Sequence, residues 1–283
     1  MSQLVKIGFS VKDACYAMGI SRSTYYSHKK TRLPKKKNKE DLYLVNKIKE
    51  IKTNHPFWGY RRITAWPKYR ENINVNRKKV YRLMKMYNLL IKQKQYKAKR
   101  TPKSKPKAHR PNNIWGIDMT KFIINGLGWV YLVVVLDWYT KKIVGYSISL
   151  TSETNDWLDA LNKAINNEFP NGVREKDLLL VSDNGSQPTS RSFMQYTKQL
   201  NIKQIFTTYN NPKGNADTER VIRTIKEEVI WINEFTSLTE ASETISKWIE
   251  KDYNKLYVHS TLGYKSPEEF EQEYYKLHYK KAA

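Results

Sequence analysis

Three carboxylates stand where an isolated charge is costly. Asp118 interrupts the apolar run IWGIDMTKFII, Asp183 directly follows LLLVS, and Glu219 lies one turn into a helix that follows NNPKGNAD. A lone buried anion carries a heavy desolvation cost, so an acid at the end of a central strand calls for a metal ion or a cationic partner. Three converging acids with two hard cations ~3.5–4 Å apart would bind Mg2+ through oxygen. They would activate a nucleophile on one side of a phosphodiester and stabilise the leaving oxygen on the other. Taken singly, Asp118 and Asp183 also suit strand-end turns, and Glu219 suits a helix N-terminus, where the dipole favours an acid. The combination is sharper: 35 residues separate Asp183 from Glu219. Lys226, two turns further on the same helix face, borders the stripe Ile222, Ile225 and Val229. It is either a surface lysine or a grip for a terminal phosphate.

The elements that must position these acids are legible as runs. Segments 114–124, 129–138 and 142–150 are β-branched and aromatic, and a turn with two glycines joins the first two; short connections predict an antiparallel meander. A helix is expected over 154–167, where Trp157, Leu158, Leu161, Ala164 and Ile165 share a face. Strand 178–181, helix 190–200, strand 202–208 and a helix from Ala216 follow. The order β-β-β-α-β-α-β-α predicts an α/β fold, a mixed five-stranded sheet with helices on its faces. Two tail helices are announced by a Ser237–Glu240 capping box and by Ser266-Pro267-Glu268-Glu269. Trp115, Trp129 and Trp138 are expected in the core and Asp137 in a turn. Asn184 and Gln187 are candidates for orienting DNA or Asp183, and His259 is a packing histidine, a phosphate contact or a proton carrier.

Charge divides the chain. Lys and Arg total 51 against 27 Asp and Glu, a formal +24 over 283 residues. The first 110 residues hold 31 of the basic and 5 of the acidic side chains, and the remainder holds 20 and 22. Such a segment neutralises phosphates and releases counterions, which points to nucleic acid as partner. Within it, Val11, Ala14, Cys15 and Met18 share a short helical face, Gly19 and Ile20 turn the chain, and Ser21 caps a second helix to about His28. This is helix-turn-helix spacing, with Ile20 and Tyr25 or Tyr26 inward and Arg22, Ser23 and Lys29 toward a groove. A basic linker is expected over 31–40. A second all-α module is expected over 41–90, with Leu42, Val45, Ile48, Ile51, Val80, Leu83 and Met84 inward and Arg61, Arg62, Arg77, Lys78, Lys79 and Arg82 outside. Pro67 should kink or end its helix after Trp66. Residues 91–112, rich in Lys, Arg and Pro, read as an extended tether whose Lys97, Lys99 and Arg100 run along a phosphate backbone. The expected domains are therefore 1–30, 41–90, a sheet domain over 113–235 and a helical tail over 236–283.

Asp118, Asp183 and Glu219 with this gap, and Lys226, resemble the D-D-E triad of retroviral-type integrases and transposases on a ribonuclease H-like fold. The motifs SRSTYY (21–26), WGYRRI (58–63), VNRKKVYRLM (75–84), SDNGSQ (182–187), NPKGNADTER (211–220) and YN with HSTLGYKSPEEF (253–254 and 259–270) are similar to the OrfB-type transposases of family-three bacterial insertion sequences. The resemblance covers nearly the whole chain. It implies cleavage of DNA at terminal inverted repeats and joining of the freed 3′-OH to target DNA, with two Mg2+ or Mn2+ ions held by the triad and no covalent protein intermediate. It further implies a circular intermediate, a homo-oligomer on double-stranded DNA and an upstream-frame partner protein, often joined by frameshifting. Pro67, where the family continues a helix, and Asp217, an added acid two residues before Glu219, depart from the pattern.

Other classes find less support. Five histidines and one cysteine cannot supply a two-His two-Cys zinc finger, and no Walker motif or HExxH is present, so zinc and ATP are not expected. Tyrosine-recombinase chemistry lacks its His-x-x-Arg element. No stretch approaches the ~20 apolar residues of a membrane span, Cys15 has no disulfide partner and the start lacks a secretory apolar region. These features point to a reducing cytoplasm, and the resemblance implies the bacterial one, at the nucleoid. A non-catalytic element-encoded repressor and a nuclease on the same core are the competing readings.

Overall fold

The computed structural model describes residues 2–29, 39–91, 106–207 and 214–279, and the chain divides into two units, Met1–Lys47 and Ile48–Ala283.

In the first unit α1 (Ser2–Lys6) precedes α2 (Val11–Ala17) and α3 (Arg22–Lys29). Ser10 and Ser21 cap α2 and α3: their hydroxyls accept from the amides of Asp13 and Thr24 at 3.2 Å each. Ala14, Cys15 and Tyr25 are buried, whereas Met18, Ile20 and Tyr26 are exposed. Met18 and Ile20 therefore depart from the inward positions expected of them. The helix stops at Ala17, and Gly19, at φ +63, turns the chain before either side chain completes the apolar face. α4 (Lys39–Asn54) starts inside the stretch expected as linker, and Leu44 and Val45 are buried there while Leu42 is exposed.

In the second unit α5 (Tyr60–Arg70) and α6 (Arg77–Met86) pack together, with Ile63, Val80, Leu83 and Met84 buried. Pro67 does not end α5 after Trp66 as expected. It costs one amide donor near the end of the helix and is itself buried, while its carbonyl accepts from Glu71 and Ile73 at 3.1 and 2.9 Å. The helix end is anchored by Arg70, which grips Glu269 through two bonds of 2.6 and 2.9 Å.

The sheet comprises β1 (Ile114–Ile124), β2 (Gly128–Asp137), β3 (Ile143–Ser149), β4 (Leu179–Ser182) and β5 (Lys203–Phe206), in the order β3-β2-β1-β4-β5. The first three strands are antiparallel neighbours, whereas β4 runs parallel to β1 and β5 parallel to β4. This is the mixed ribonuclease H-like arrangement. α7 (Thr154–Glu168) covers one face, so closely that a Cβ on Gly145 would stand 2.3 Å from the Ala160 carbonyl. Trp115, Ile117, Val133, Val135, Trp157, Leu161 and Phe193 fill the core beneath it, with α8 (Arg191–Gln199) at its edge. α9 (Ala216–Glu228) packs against β1 and β2. Trp115 and Trp138 are buried as expected, but Trp129 is about half exposed, because it belongs to the outward set of β2 near the hairpin tip and lies under Lys121.

The tail consists of α10 (Leu238–Lys247), a π-helical turn (Trp248–Tyr253), α11 (Asn254–Leu256) and α12 (Pro267–Tyr279). Ser237 caps α10, but Glu240 accepts from Thr236 rather than closing the reciprocal box expected with Ser237. That box forms at Ser266 and Glu269 instead. The C-terminal end of α9 is tied to the residues after α4: buried Glu228 meets His55 Nδ1 at 2.8 Å, and the imidazole stacks on Trp58 at 3.8 Å. Among the described residues no helix is long and apolar enough to cross a membrane.

Candidate active site

Alternation along β1 assigns its residues to two faces. Trp115 and Ile117 enter the core beneath α7, and Gly116 and Asp118 belong to the face covered by α9. A Cβ on Gly116 would meet Thr218 Oγ1 at 2.1 Å, Trp138 Nε1 at 2.4 Å and Asn215 Oδ1 at 2.8 Å. Only glycine lets the start of α9 come down onto the strand. Asn215, immediately before α9, donates to the Ile117 carbonyl at 3.2 Å, and Trp138 Nε1 donates to Thr218 Oγ1 at 3.1 Å. These bonds fix the first turn of α9, which carries Glu219, beside the strand that carries Asp118.

Asp183 arrives by another route. β4 pairs with β1 in parallel, the ladder ending at Gly116 opposite Val181, and Asp118 and Asp183 each follow two residues beyond that pair. Asp183 is exposed just past the strand end, and Oδ1 accepts the Gly185 amide at 3.0 Å. A side chain at Gly185 would press on that oxygen, since its Cβ would stand 3.0 Å away.

The electrostatics link these groups. Burial pushes the Asp118 carboxyl up to about 7; the Met119 amide, donating at 2.8 Å, opposes this, the charges of Asp183 and Glu219 add to the rise, and Lys226 lowers it. Asp118 thus senses both other acids and the lysine two turns along α9. Among the described residues no three His, Cys, Asp or Glu side chains are close enough together to hold a metal ion. The acids act on one another's charge without closing into a cage.

The remaining sequence-derived candidates are dispersed. Arg22 is exposed on α3; Arg61, Arg77, Lys78 and Arg82 are exposed on α5 and α6, and Lys79 is part-buried. Arg62 is part-buried with its guanidinium 4.9 Å from the centre of the Tyr257 ring. Lys97, Lys99 and Arg100 lie outside the described residues. Asn184 donates to the Thr207 carbonyl and Gln187 to the Ser152 carbonyl, each at 2.8 Å, so both side chains tie loops together rather than orient Asp183. Asp137 is a buried turn acid, as expected, accepting from Thr140 Oγ1 at 2.7 Å and from the amides of Asn112, Tyr139 and Thr140. Asp217 is engaged by Lys141 at 3.0 Å. Sequence reasoning missed Gly116, Asn215 and Lys141. A glycine inside an otherwise bulky strand was the one available signal, since it marks a close approach.

Family models agree with this arrangement. Integrase core domain models match residues 108–212 and 200–267, and an HTH-like domain model matches 38–97. An integrase core behind a helix-turn-helix-like module defines a polynucleotidyl transferase of the transposase and integrase class. The transposase for insertion sequence element IS904 of Lactococcus lactis is 34% identical over 254 residues, covering 85% of this chain and 98% of that protein. The putative transposase InsK for insertion sequence element IS150 of Escherichia coli is 31% identical over 285 residues, covering 94% and 95%. The chain belongs to the transposases of bacterial insertion sequences. The HTLV-2 integrase catalytic core, solved in complex with magnesium, aligns with a TM-score of 0.45 and 19% identity, over 58% of this chain and 99% of that one.

Proposed function

We propose that this transposase cuts DNA at the terminal inverted repeats of its element and joins the freed 3′-OH to target DNA, with Asp118, Asp183 and Glu219 as its catalytic carboxylates. The observation that carries this reading is the environment of Asp118: a part-buried carboxyl raised to about 7 by burial and by two neighbouring acids. Hard carboxylate oxygens are the donor type that divalent cations prefer, so Asp118, Asp183 and Glu219 suit Mg2+ or Mn2+ by chemistry and would have to draw closer together to hold one. Held there, two such ions would stabilise the charge that builds on the attacking and leaving oxygens.

The chain's own residues supply the positions. Asp118 stands on a central strand paired on both sides, and Glu219 on a helix pinned to that strand through Asn215 and Trp138. Asp183 is oriented by the Gly185 amide. Lys226 offsets the local negative charge and grips a phosphate at the DNA end. Arg22, Arg61, Arg77, Lys78, Lys79 and Arg82, with Lys97, Lys99 and Arg100 of the tether, bind the DNA backbone. Phosphate contacts of this kind set position and leave sequence to base-edge contacts. Two element ends must be held together, so the active form is a homo-oligomer on double-stranded DNA, and an upstream-frame protein joins it. The setting is the bacterial cytoplasm, at the nucleoid.

The test is cleavage and joining of terminal-repeat DNA with Mg2+ or Mn2+. Wild type forms joined products and Asp183→Asn falls to background. A wild-type rate in Asp183→Asn overturns the assignment, and cleavage without joining makes the protein a nuclease.

A further inference from the structure

The first turn of α9 is tied down at several points. Two of the ties, from Asn215 to the Ile117 carbonyl and from the Trp138 indole to Thr218, hold it against the sheet. Another runs to the β2–β3 turn, where the Lys141 ammonium stands 3.0 Å from Asp217 Oδ2. Successive helical residues point about 100° apart, so Asp217 and Thr218 restrain the turn from different directions. The lysine side chain of this pair is 15% exposed and the aspartate 33%, so solvent screens the contact only in part.

Lys141 is itself fixed in place. Its backbone lies in the left-handed region at φ +62, its amide donates to the Asp137 carbonyl at 2.8 Å, and its ammonium also donates to the Trp138 carbonyl. That conformation is sterically unfavourable for a residue with a side chain, so its surroundings must hold it there. The helical tail contributes: the buried Tyr253 hydroxyl donates to the Lys141 carbonyl at 3.0 Å. Next to it, Asn254 Nδ2 donates to the Ile143 carbonyl at 2.9 Å, and Asn254 Oδ1 accepts from the Ile143 amide at 3.0 Å. A chain of contacts, each of hydrogen-bond length, therefore runs from the tail through Lys141 to Asp217, two residues before Glu219.

We propose that Lys141 is a positioning residue for Glu219: by holding Asp217 it sets the rotation of α9 about its own axis, and Tyr253 and Asn254 of the tail hold the turn that presents the lysine. Asp217 and Glu219 project from nearly opposite sides of the same turn, so a roll that carries one carries the other. A side-chain tip lies about 6 Å from the helix axis, so a roll of about 10° moves it by about 1 Å, and a misplacement of that size costs on the order of 100-fold. The ties through Asn215 and Thr218 survive the loss of Lys141 and limit the roll. A loss of about tenfold is therefore expected. The inference rests on the reading of Glu219 as a catalytic carboxylate.

The experiment uses the full chain: single-turnover cleavage of terminal-repeat DNA in Mg2+ at saturating protein, and hydrogen–deuterium exchange of the free protein in EDTA. Lys141→Met and Asp217→Ala remove opposite charges, so an electrostatic effect on DNA moves the two variants in opposite directions, whereas loss of a shared tie moves both the same way. Each is expected to slow cleavage about tenfold, and the double variant to be no slower than either single one. Exchange over residues 215–222 should quicken in both single variants while the sheet keeps its protection. Tyr253→Phe should slow cleavage by a smaller factor, and have no effect in the Lys141→Met background. Lys203→Met, which breaks an exposed pair with Asp177 at 2.6 Å, keeps the wild-type rate. Rate changes of opposite sign would make Lys141 a phosphate contact and overturn the proposal, as would additive losses in the double variant or unchanged exchange over 215–222. A Tyr253→Phe effect that persists in full in Lys141→Met overturns the link to the tail. Glu219→Gln separates the two readings: a wild-type rate there sinks the catalytic assignment, while background cleavage there beside wild-type rates in Lys141→Met and Asp217→Ala sinks the tie alone.

Discussion

Two aspartates on neighbouring strands, Asp118 on β1 and Asp137 at the end of β2, share a residue type, an apolar setting and an upward push from burial, yet they have opposite surroundings. Asp137 is wholly buried, and its carboxylate accepts from three amides and a hydroxyl, each of which favours the charged form. Asp118 accepts one amide and feels the charges of Asp183 and Glu219. The first is a charge the fold has satisfied. The second is a charge that burial and two acidic neighbours disfavour, opposed by one amide and by Lys226. The contrast teaches how to tell a structural acid from one proposed to be catalytic: by what its remaining lone pairs meet, since both lie in equally apolar sequence.

The sharpest way to break the comparison is to neutralise each acid. Asp118→Asn should reduce cleavage of terminal-repeat DNA to background while raising the melting temperature in EDTA, because it removes a repelled charge. Asp137→Asn should do the reverse, costing about 1–3 kcal/mol in urea unfolding by disrupting satisfied hydrogen bonds and leaving turnover of the folded protein intact. If both variants lose activity and stability together, the distinction fails.

Next in size is Gly116→Ala. The added methyl collides with Thr218 and Trp138 and must lift the start of α9 away from β1. A displacement near 1 Å at a catalytic group costs on the order of 100-fold, so single-turnover cleavage should fall by about that factor while DNA binding in EDTA is retained. The smallest effect is one of pH. His259 is held below its unfolded value, so its contribution to stability is complete above ~6.5 and is lost as pH falls toward about 4. Urea unfolding should show a loss of about 2 kcal/mol by a pH of about 5, and His259→Gln should abolish that part of the pH dependence.

Much of the active region was legible beforehand because its signals are local. Strand runs end near where the structure ends them, Ser21 caps the helix it precedes, and the spacing of Asp118, Asp183, Glu219 and Lys226 resembles a known pattern. The failures are also physical. Leu42 and Leu44 both fit a helical face by period, and packing chose Leu44. Trp129 looks like core by type and is set outward by strand alternation. Pro67 reads as a helix end, yet burial and the Arg70 clamp carry α5 through it.

The amino-acid order by itself determined the alternation of strands and helices, the concentration of positive charge ahead of the sheet, and which carboxylates were candidates, since each depends on residue type and nearest neighbours. Only the tertiary structure decided which acids sense one another, that Asp217 pairs with Lys141, and that Arg62 covers the Tyr257 ring. Those facts depend on strand order, on the parallel register of β4 against β1 and on a glycine that admits a helix. Such contacts join residues about a hundred positions apart, and no local preference encodes which distant partner a side chain will face.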